Sequence, residues 1–352
     1  MLVTYPADTR SPLLPDRHPT PDFFVCDIFD ASPRGDMASM EHPIFSVSTK
    51  PDTKTRKYVN GDIFVEIKPS SDGLATVHDR DILIYCISQL MASLNEGRPI
   101  SQVVRFKAHD LMKATNRMTN GQAYAALKAS LERLAGTRIS TNILTGGREE
   151  FRTFGLIEHA SIVRETRDGR MQDVEVKLSD WVYTAIEHKE VLTLSRDYFR
   201  LRKPLERRIY EIARKHCGKQ SIWRISLEKL QLKCGSHSTL KEFRRMLLAI
   251  VDRDRKHSHM PDYSIQLDED DMVTFRSRGT VPGMKVKDET IPIPSLQPET
   301  YDLARQAAPG WDVHLLEQEW RDWVTEPPQY ADAAFIGFCR KAVKTRSQCP
   351  QK

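Results

Sequence analysis

The stretch Cys234-Gly-Ser-His-Ser-Thr-Leu-Lys-Glu-Phe-Arg-Arg-Met-Leu-Leu-Ala-Ile-Val-Asp252 carries the reading of the fold. At 100° per residue, Leu240, Phe243, Leu247, Ile250 and Val251 share one face of a helix over Thr239–Asp252, a seam that packs on a core. Ser238, Lys241, Glu242, Arg245 and Ala249 lie on the opposite face, with Arg244 on the flank. An apolar seam inward and polar or basic side chains outward is what a DNA-recognition helix needs. Lys241 or Arg245 can reach guanine O6 and N7 in a major groove. Ser236, His237, Ser238 and Thr239, at the helix start with its free backbone N–H groups, suit phosphate. The plainer reading of the same pattern is a surface helix with a Ser/Thr cap.

Working outward, Pro204–Lys215 reads as a helix with Pro204 in its first turn. Ile222–Ile225 reads as a strand, Leu227–Leu232 as a short helix and Cys234–Ser238 as a turn. Tyr263–Leu267 and Met272–Arg276 form a hairpin turning at Asp268–Asp271. The same order stands 119 residues earlier. There Asp79–Asn95 is a helix, Val103–Phe106 a strand, Ala108–Ala114 a short helix, Thr115–Thr119 a turn and Asn120–Leu134 a longer helix. Strand-like runs Arg138–Leu144 and Glu150–Glu158 follow, around Gly146-Gly147. Arg105/Arg224, Leu111/Leu230, Tyr124/Phe243 and Leu131/Ile250 match across the two copies. The order predicts a mainly α fold with small β hairpins (α+β), built as two tandem winged helix-turn-helix domains.

The first long helix has its seam at Tyr124, Leu127, Leu131 and Leu134. Outward lie Gln122, Ala125, Ala126, Lys128, Ala129 and Arg133. The alanines allow close approach to another surface, and the few cations suit phosphate contact together with dimerisation. Arg148, at the tip Gly146-Gly147-Arg148, is placed to touch a DNA backbone.

Charge is segregated. Residues 195–260 hold 18 Lys and Arg against 7 Asp and Glu, a local +11, although the whole chain is only +5. A basic block points to a polyanionic partner or to a solvated basic face. Its densest part, Arg200-Leu-Arg-Lys-Pro-Leu-Glu-Arg-Arg208, brings Arg200, Arg202, Lys203, Arg207 and Arg208 to a helix start. Side chains there can track a phosphate backbone. The alternative is helix surface charge partly paired by Glu206 and Glu211.

The chain of 352 residues divides into five parts by this reading. Residues 1–57 are a proline-rich, irregular arm. Residues 58–190 are the first winged-helix domain, for dimerisation and DNA-backbone contact, and 191–278 the second, for sequence-specific binding. Residues 279–298 are a linker. Residues 299–345 are a Trp-rich helical module in which Leu316 and Trp320 pack with Phe335 and Phe338. That module reads equally as a partner-docking surface and as a small self-contained core.

Several classes fall away. No run approaches the roughly 20 apolar residues of a membrane helix, and the best, Ile82–Leu94, is broken by Ser88 and Gln89. The first 25 residues lack an apolar signal core. Six scattered cysteines without a CxxC pair fit a reducing cytoplasm. No P-loop is present. His257-Ser258-His259 sits in a charged run without a strand pattern, and Cys217, Cys234 and His237 lack zinc spacing. Asp268–Asp271 marks a turn, and no nucleophile elbow supports a Ser/His/Asp set. The expectation is a non-enzyme without metal or cofactor.

Leu192-Thr-Leu-Ser-Arg-Asp-Tyr-Phe-Arg-Leu201, then Lys-Pro-Leu-Glu-Arg-Arg-Ile-Tyr-Glu-Ile-Ala-Arg-Lys-His-Cys-Gly218, resembles the plasmid replication initiator protein A family, as does Leu240-Lys-Glu-Phe-Arg-Arg-Met246. The resemblance spans about residues 60–278. It implies a theta-type initiator that binds tandem repeats in an origin as double-stranded DNA. Such proteins open an adjacent A·T-rich segment and recruit the host initiator and replicative helicase. It also implies repeat reading by Lys241, Arg244 and Arg245, and a homodimer off the origin that represses its own gene. A dimeric repressor without a replication role shares the same fold and charge, and a strand-nicking enzyme is the remaining rival class.

Overall fold

The computed structural model describes residues 11–19, 33–60, 63–142, 151–164, 172–218, 220–281, 296–309 and 330–347, with single positions between 313 and 328. Residues 1–284 form one compact unit and 285–352 another. In chain order the first unit holds β1 (Arg34–Asp36), α1 (Met37–Glu41), β2 (Arg56–Asn60), β3 (Ile63–Lys68), α2 (Arg80–Asn95), β4 (Val103–Lys107), α3 (Ala108–Ala114) and α4 (Gly121–Gly136). Next come β5 (Arg138–Thr141), β6 (Arg152–Gly155), β7 (Ile157–Arg164), β8 (Gln172–Leu178), α5 (Asp180–Glu187), β9 (Val191–Thr193) and a 3-10 turn (Arg196–Arg200). Last are α6 (Pro204–His216), β10 (Ile222–Ser226), α7 (Leu227–Cys234), α8 (Leu240–His257), β11 (Tyr263–Leu267) and β12 (Met272–Ser277).

The second half follows the expected order. β10, β12 and β11 form an antiparallel sheet in that spatial order, with Ile225 opposite Val273 and Ile265 opposite Phe275. These side chains meet Phe243, Leu247 and Ile250 of α8 in one core. Thr239 caps α8 by accepting from the Glu242 N–H, and Ser226 caps α7 from Lys229. One seam residue departs from the expectation. Leu240 is 41% exposed because it is the first helical residue, off the end of the core.

The first half corrects the expected hairpin. β4 pairs with β8 and β8 with β7, which is the arrangement of β10, β12 and β11. The runs at Arg138 and Arg152 become β5 and β6 of a different, four-stranded sheet, ordered β2-β3-β5-β6, with Ile139 opposite Ile67. Each pair of strands has the same local pattern, so the sequence cannot say which sheet a strand joins. The Gly146-Gly147-Arg148 tip lies outside the described residues.

Part of the N-terminal arm is also ordered, against expectation. β1 pairs with β9, and Asp36 caps α1 through a 2.7 Å bond from the Ser39 N–H. Met40 is fully buried in the second core, while Ile44 and Phe45 are buried in the first. A short segment thus joins both cores, which is why the halves expected as separate domains form one unit. Gly35 permits this: a Cβ there would lie 2.7 Å from Arg80 Nη2, a guanidinium that is itself fully buried.

The C-terminal unit contains α9 (Pro298–Ala307) and α10 (Ala331–Ser347). Leu316, Trp320 and Phe335 are buried together, with Trp320 and Phe335 rings 5.4 Å apart and Phe338 packed against the cluster. Among the described residues no helix is long and apolar enough to cross a membrane.

Gly235 ends α7 in the left-handed region at φ 66°, and a Cβ there would meet Pro43 Cβ at 2.8 Å and Tyr58 Oη at 3.1 Å. Gly235→Ala is therefore expected to cost more than about 1 kcal/mol in urea unfolding; an unchanged midpoint would show that this turn does not dock against β2.

Candidate nucleic-acid interface

α8 presents several of the second half's exposed cations. Lys241 is exposed, and Arg245 stands out into solvent but is held by Glu242, with Nε to Oε2 at 2.9 Å and Nη2 to Oε1 at 2.6 Å. The Arg245 hydrogen bonds hold the Glu242 carboxyl below the usual carboxylate range. Arg244 pairs with Asp271 at the hairpin turn. Any base contact by Arg244 or Arg245 therefore exchanges an intramolecular ion pair for an intermolecular one.

The turn before α8 is internally bonded. The hydroxyls of Ser236 and Ser238 are 3.0 Å apart, and Gln231 donates to the Ser238 carbonyl at 2.6 Å. His237 stacks on Tyr58 with Nε2 3.0 Å from its hydroxyl. Burial, with Arg56 close by, lowers the His237 pKa, so it is a neutral hydrogen-bonding group at neutral pH. Thr239 is exposed, with its hydroxyl engaged in the cap.

The basic cluster at the start of α6 divides in two. Arg202 and Lys203 are exposed, and Arg202 makes no ion pair or hydrogen bond with the described residues. Arg200 is partly buried against Asp197 and the Leu14 carbonyl. Arg207 and Arg208, expected on a phosphate backbone, are instead 3% and 1% exposed. Arg207 donates to Asp81 at 2.6 Å and to the Phe199 and Leu201 carbonyls, with its guanidinium 5.0 Å from the Tyr198 ring centroid. Arg208 donates to the Ser39 carbonyl, to the Lys233 carbonyl at 2.8 Å and to Glu211. The residues from Pro204 to Arg214 are all buried. Glu211 is a near neighbour on the same helix, but Asp81 and the Ser39 carbonyl lie more than 100 residues away in sequence, so the charge pattern alone reads as surface.

α4 carries Gln122 and Lys128 into solvent, together with Ala125 and Ala126. Arg133 is partly buried in a bidentate pair with Asp79, both bonds at 2.7 Å, and is structural rather than free for phosphate. Asn120 caps α4 by accepting from the Ala123 N–H. Arg148 is outside the described residues. The predicted site residues left exposed are thus His237, Thr239, Lys241 and Arg245 at α8 and its approach, Gln122 and Lys128 on α4, and Arg202 and Lys203 before α6. Arg117 and Arg17, which the sequence reading passed over, line a cleft of about 480 Å³ with Gln122 and Arg202.

Residues 34–265 match the family described as Replication initiator protein A. A putative replication protein of Wigglesworthia glossinidia brevipalpis is 40% identical over 263 residues, 73% of this chain and 94% of that relative. Among solved structures, a selenomethionine derivative of domains 2 and 3 of RctB aligns with 70% of this chain and 99% of its own, at TM-score 0.48 and 14% identity. A second RctB domain 2–3 structure aligns over 66% and 93%, at TM-score 0.45 and 13% identity.

Two histidines beside the basic groups have a consequence for stability. Burial lowers His42 and His78 to about 4, with Arg208 and Lys233 near the first and Arg207 near the second adding to the shift. Both folded values lie below the unfolded 6.5. Below pH 6.5 the unfolded chain therefore binds more protons, and stability falls as pH drops from 6.5 toward 4. The contribution is at most about 3 kcal/mol for each histidine. The urea midpoint should fall across this window, and less steeply in His78→Asn; identical profiles for the two proteins would contradict the assignment.

Proposed function

The chain belongs to the replication initiator protein A family, and we propose that it initiates replication by binding repeated double-stranded sites in a plasmid origin through two winged helix-turn-helix elements. The single observation that carries this reading is α8. Its apolar seam is buried on a three-stranded sheet while Lys241 and Arg245 face outward from its first turns. The order α6, β10, α7, α8, β11, β12 is that of a winged helix, and α2, β4, α3, α4, β7, β8 repeats it.

In this reading α8 enters a major groove. Lys241 meets phosphate or a base edge, and Arg245 leaves Glu242 for guanine O6 and N7. Arg244 exchanges Asp271 for the backbone. The exchange discriminates, because a wrong base offers Arg245 less than Glu242 already does. α4 contributes backbone contact through Gln122 and Lys128, and its alanines admit a second copy of the chain. Occupying several adjacent repeats supplies free energy to bend and unwind neighbouring DNA, at a cost of a few kcal/mol per bent site. No catalytic group is required. The host initiator and replicative helicase follow as recruited partners in the cytoplasm, and family membership favours replication over repression alone.

A footprint on DNA flanking the protein's own gene, at two salt concentrations, tests this. Several evenly spaced protected repeats that weaken with salt are expected; one palindrome over a promoter would favour a repressor. Arg245→Ala should cost about 1–3 kcal/mol on a repeat and relax its sequence preference. Equal losses on repeat and random duplex would remove α8 as the reading helix.

A further inference from the structure

The N-terminal segment 11–19 is tied to both halves of the first unit. Leu14 and Arg200 exchange bonds, Leu14 N–H to the Arg200 carbonyl at 2.8 Å and Arg200 Nε to the Leu14 carbonyl at 2.9 Å. Arg17 donates its N–H to Asn116 Oδ1 and its Nη1 to the Asn116 carbonyl, both at 2.8 Å. Asn116 Nδ2 returns a bond to the Pro15 carbonyl at 3.1 Å, and Leu13 packs against the second core. Asn116 lies in the α3–α4 turn and holds φ 55°, a conformation uncommon outside glycine. The segment is thus anchored where the first half's helix-turn-helix turn meets the chain leading into α6.

These contacts build the cleft of about 480 Å³ rather than filling it. Its walls carry five guanidinium groups, from Arg17, Arg117, Arg133, Arg202 and Arg207, against the carboxylates of Asp79 and Asp81. Both carboxylates are committed: Asp79 to Arg133, and Asp81 to Arg207 at 2.6 Å and Arg117 at 3.2 Å. An excess of positive charge remains, with Arg202 exposed and unpaired among the described residues. Gln122, in the first turn of the 16-residue helix α4, lines the same cleft, so the helix N-terminus adds its own attraction for an anion.

We propose that this cleft seats a backbone phosphate of duplex DNA, held from three separate parts of the chain. Gln122 comes from the start of α4, Arg202 from the approach to α6 and Arg17 from the N-terminal segment. This rests on the DNA-binding reading above and adds a site to it. The segment 11–19 becomes part of the interface, and one phosphate is gripped from both halves at once, fixing the register of α4 relative to α8 on the duplex. The contact carries no base information, so it acts alike on every sequence.

The test is the salt dependence of binding by the full-length protein to a random-sequence duplex and to DNA flanking its own gene. Arg202→Ala and Arg17→Ala should each flatten the plot of log K against log salt by roughly one on both duplexes. Lys50→Ala, which removes an exposed cation away from the cleft, should leave the slope unchanged. Arg202 makes no ion pair or hydrogen bond with the described residues, so its variant reads the site independently of any loosening caused by losing Arg17. Unchanged slopes for Arg202→Ala and Arg17→Ala, with wild-type binding intact, would overturn the cleft and leave the α8 reading standing. An equal loss for Lys50→Ala would overturn it as well, since net charge alone would then be responsible. A wild type that binds neither duplex would overturn both.

Discussion

The structure depends on a cluster of ion pairs buried between α2 and α6. Arg80, fully buried, lies 2.6 Å from Glu211 and 3.7 Å from Asp36, while Asp81 binds Arg207 from the other half. Arg208 and the Tyr198 hydroxyl complete the set around Glu211. Burial works against the charge on Arg207, and Asp81, Tyr198 and Glu211 together outweigh it, so the guanidinium pKa is raised. A buried pair is weak evidence of net stabilisation, because desolvation offsets the attraction. Removing one member is different: it leaves an uncompensated charge at a cost of about 3–5 kcal/mol. Such a cluster tolerates one arrangement of its two halves and penalises others.

That constraint shapes the surface. Of the basic block over residues 195–260, part is spent inside on this cluster, and part is exposed along α8 and at Arg202. The strongly charged start of α6 joins the two halves through Arg207 and leaves Arg202 and Lys203 exposed beside it. What remains outside includes Lys241, Arg245, Arg255 and Lys256 on α8, with Arg245 and Arg255 held by carboxylates, and a cleft whose guanidinium groups exceed its carboxylates. The helices α4 and α8 lie within one compact unit.

Much of this was legible in the sequence. The seam Phe243, Leu247 and Ile250 follows from helical periodicity, and the core it enters has the expected strands. The pairing of Leu316 and Trp320 with Phe335 was readable for the same reason. Local pattern does not report partners distant in the chain. It could not say that β5 and β6 join β2 and β3 while β7 and β8 return to β4. It could not turn Arg207 and Arg208 inward, since Asp81 and the Ser39 carbonyl lie far off in sequence. Nor did the proline-rich arm reveal that Met40 and Phe45 each enter a core, because no repeat marks a segment that lies along two surfaces.

The central claim is that the two halves stand or fall together through the α2–α6 cluster. It is tested most directly by unfolding full-length variants whose only tryptophan is Trp181, buried in the first core, or Trp223, packed against the second. The account predicts coincident urea transitions for the two probes, and transitions shifted to lower urea or separated once Asp81→Ala is introduced. Separate transitions before that substitution, or no shift after it, would contradict it.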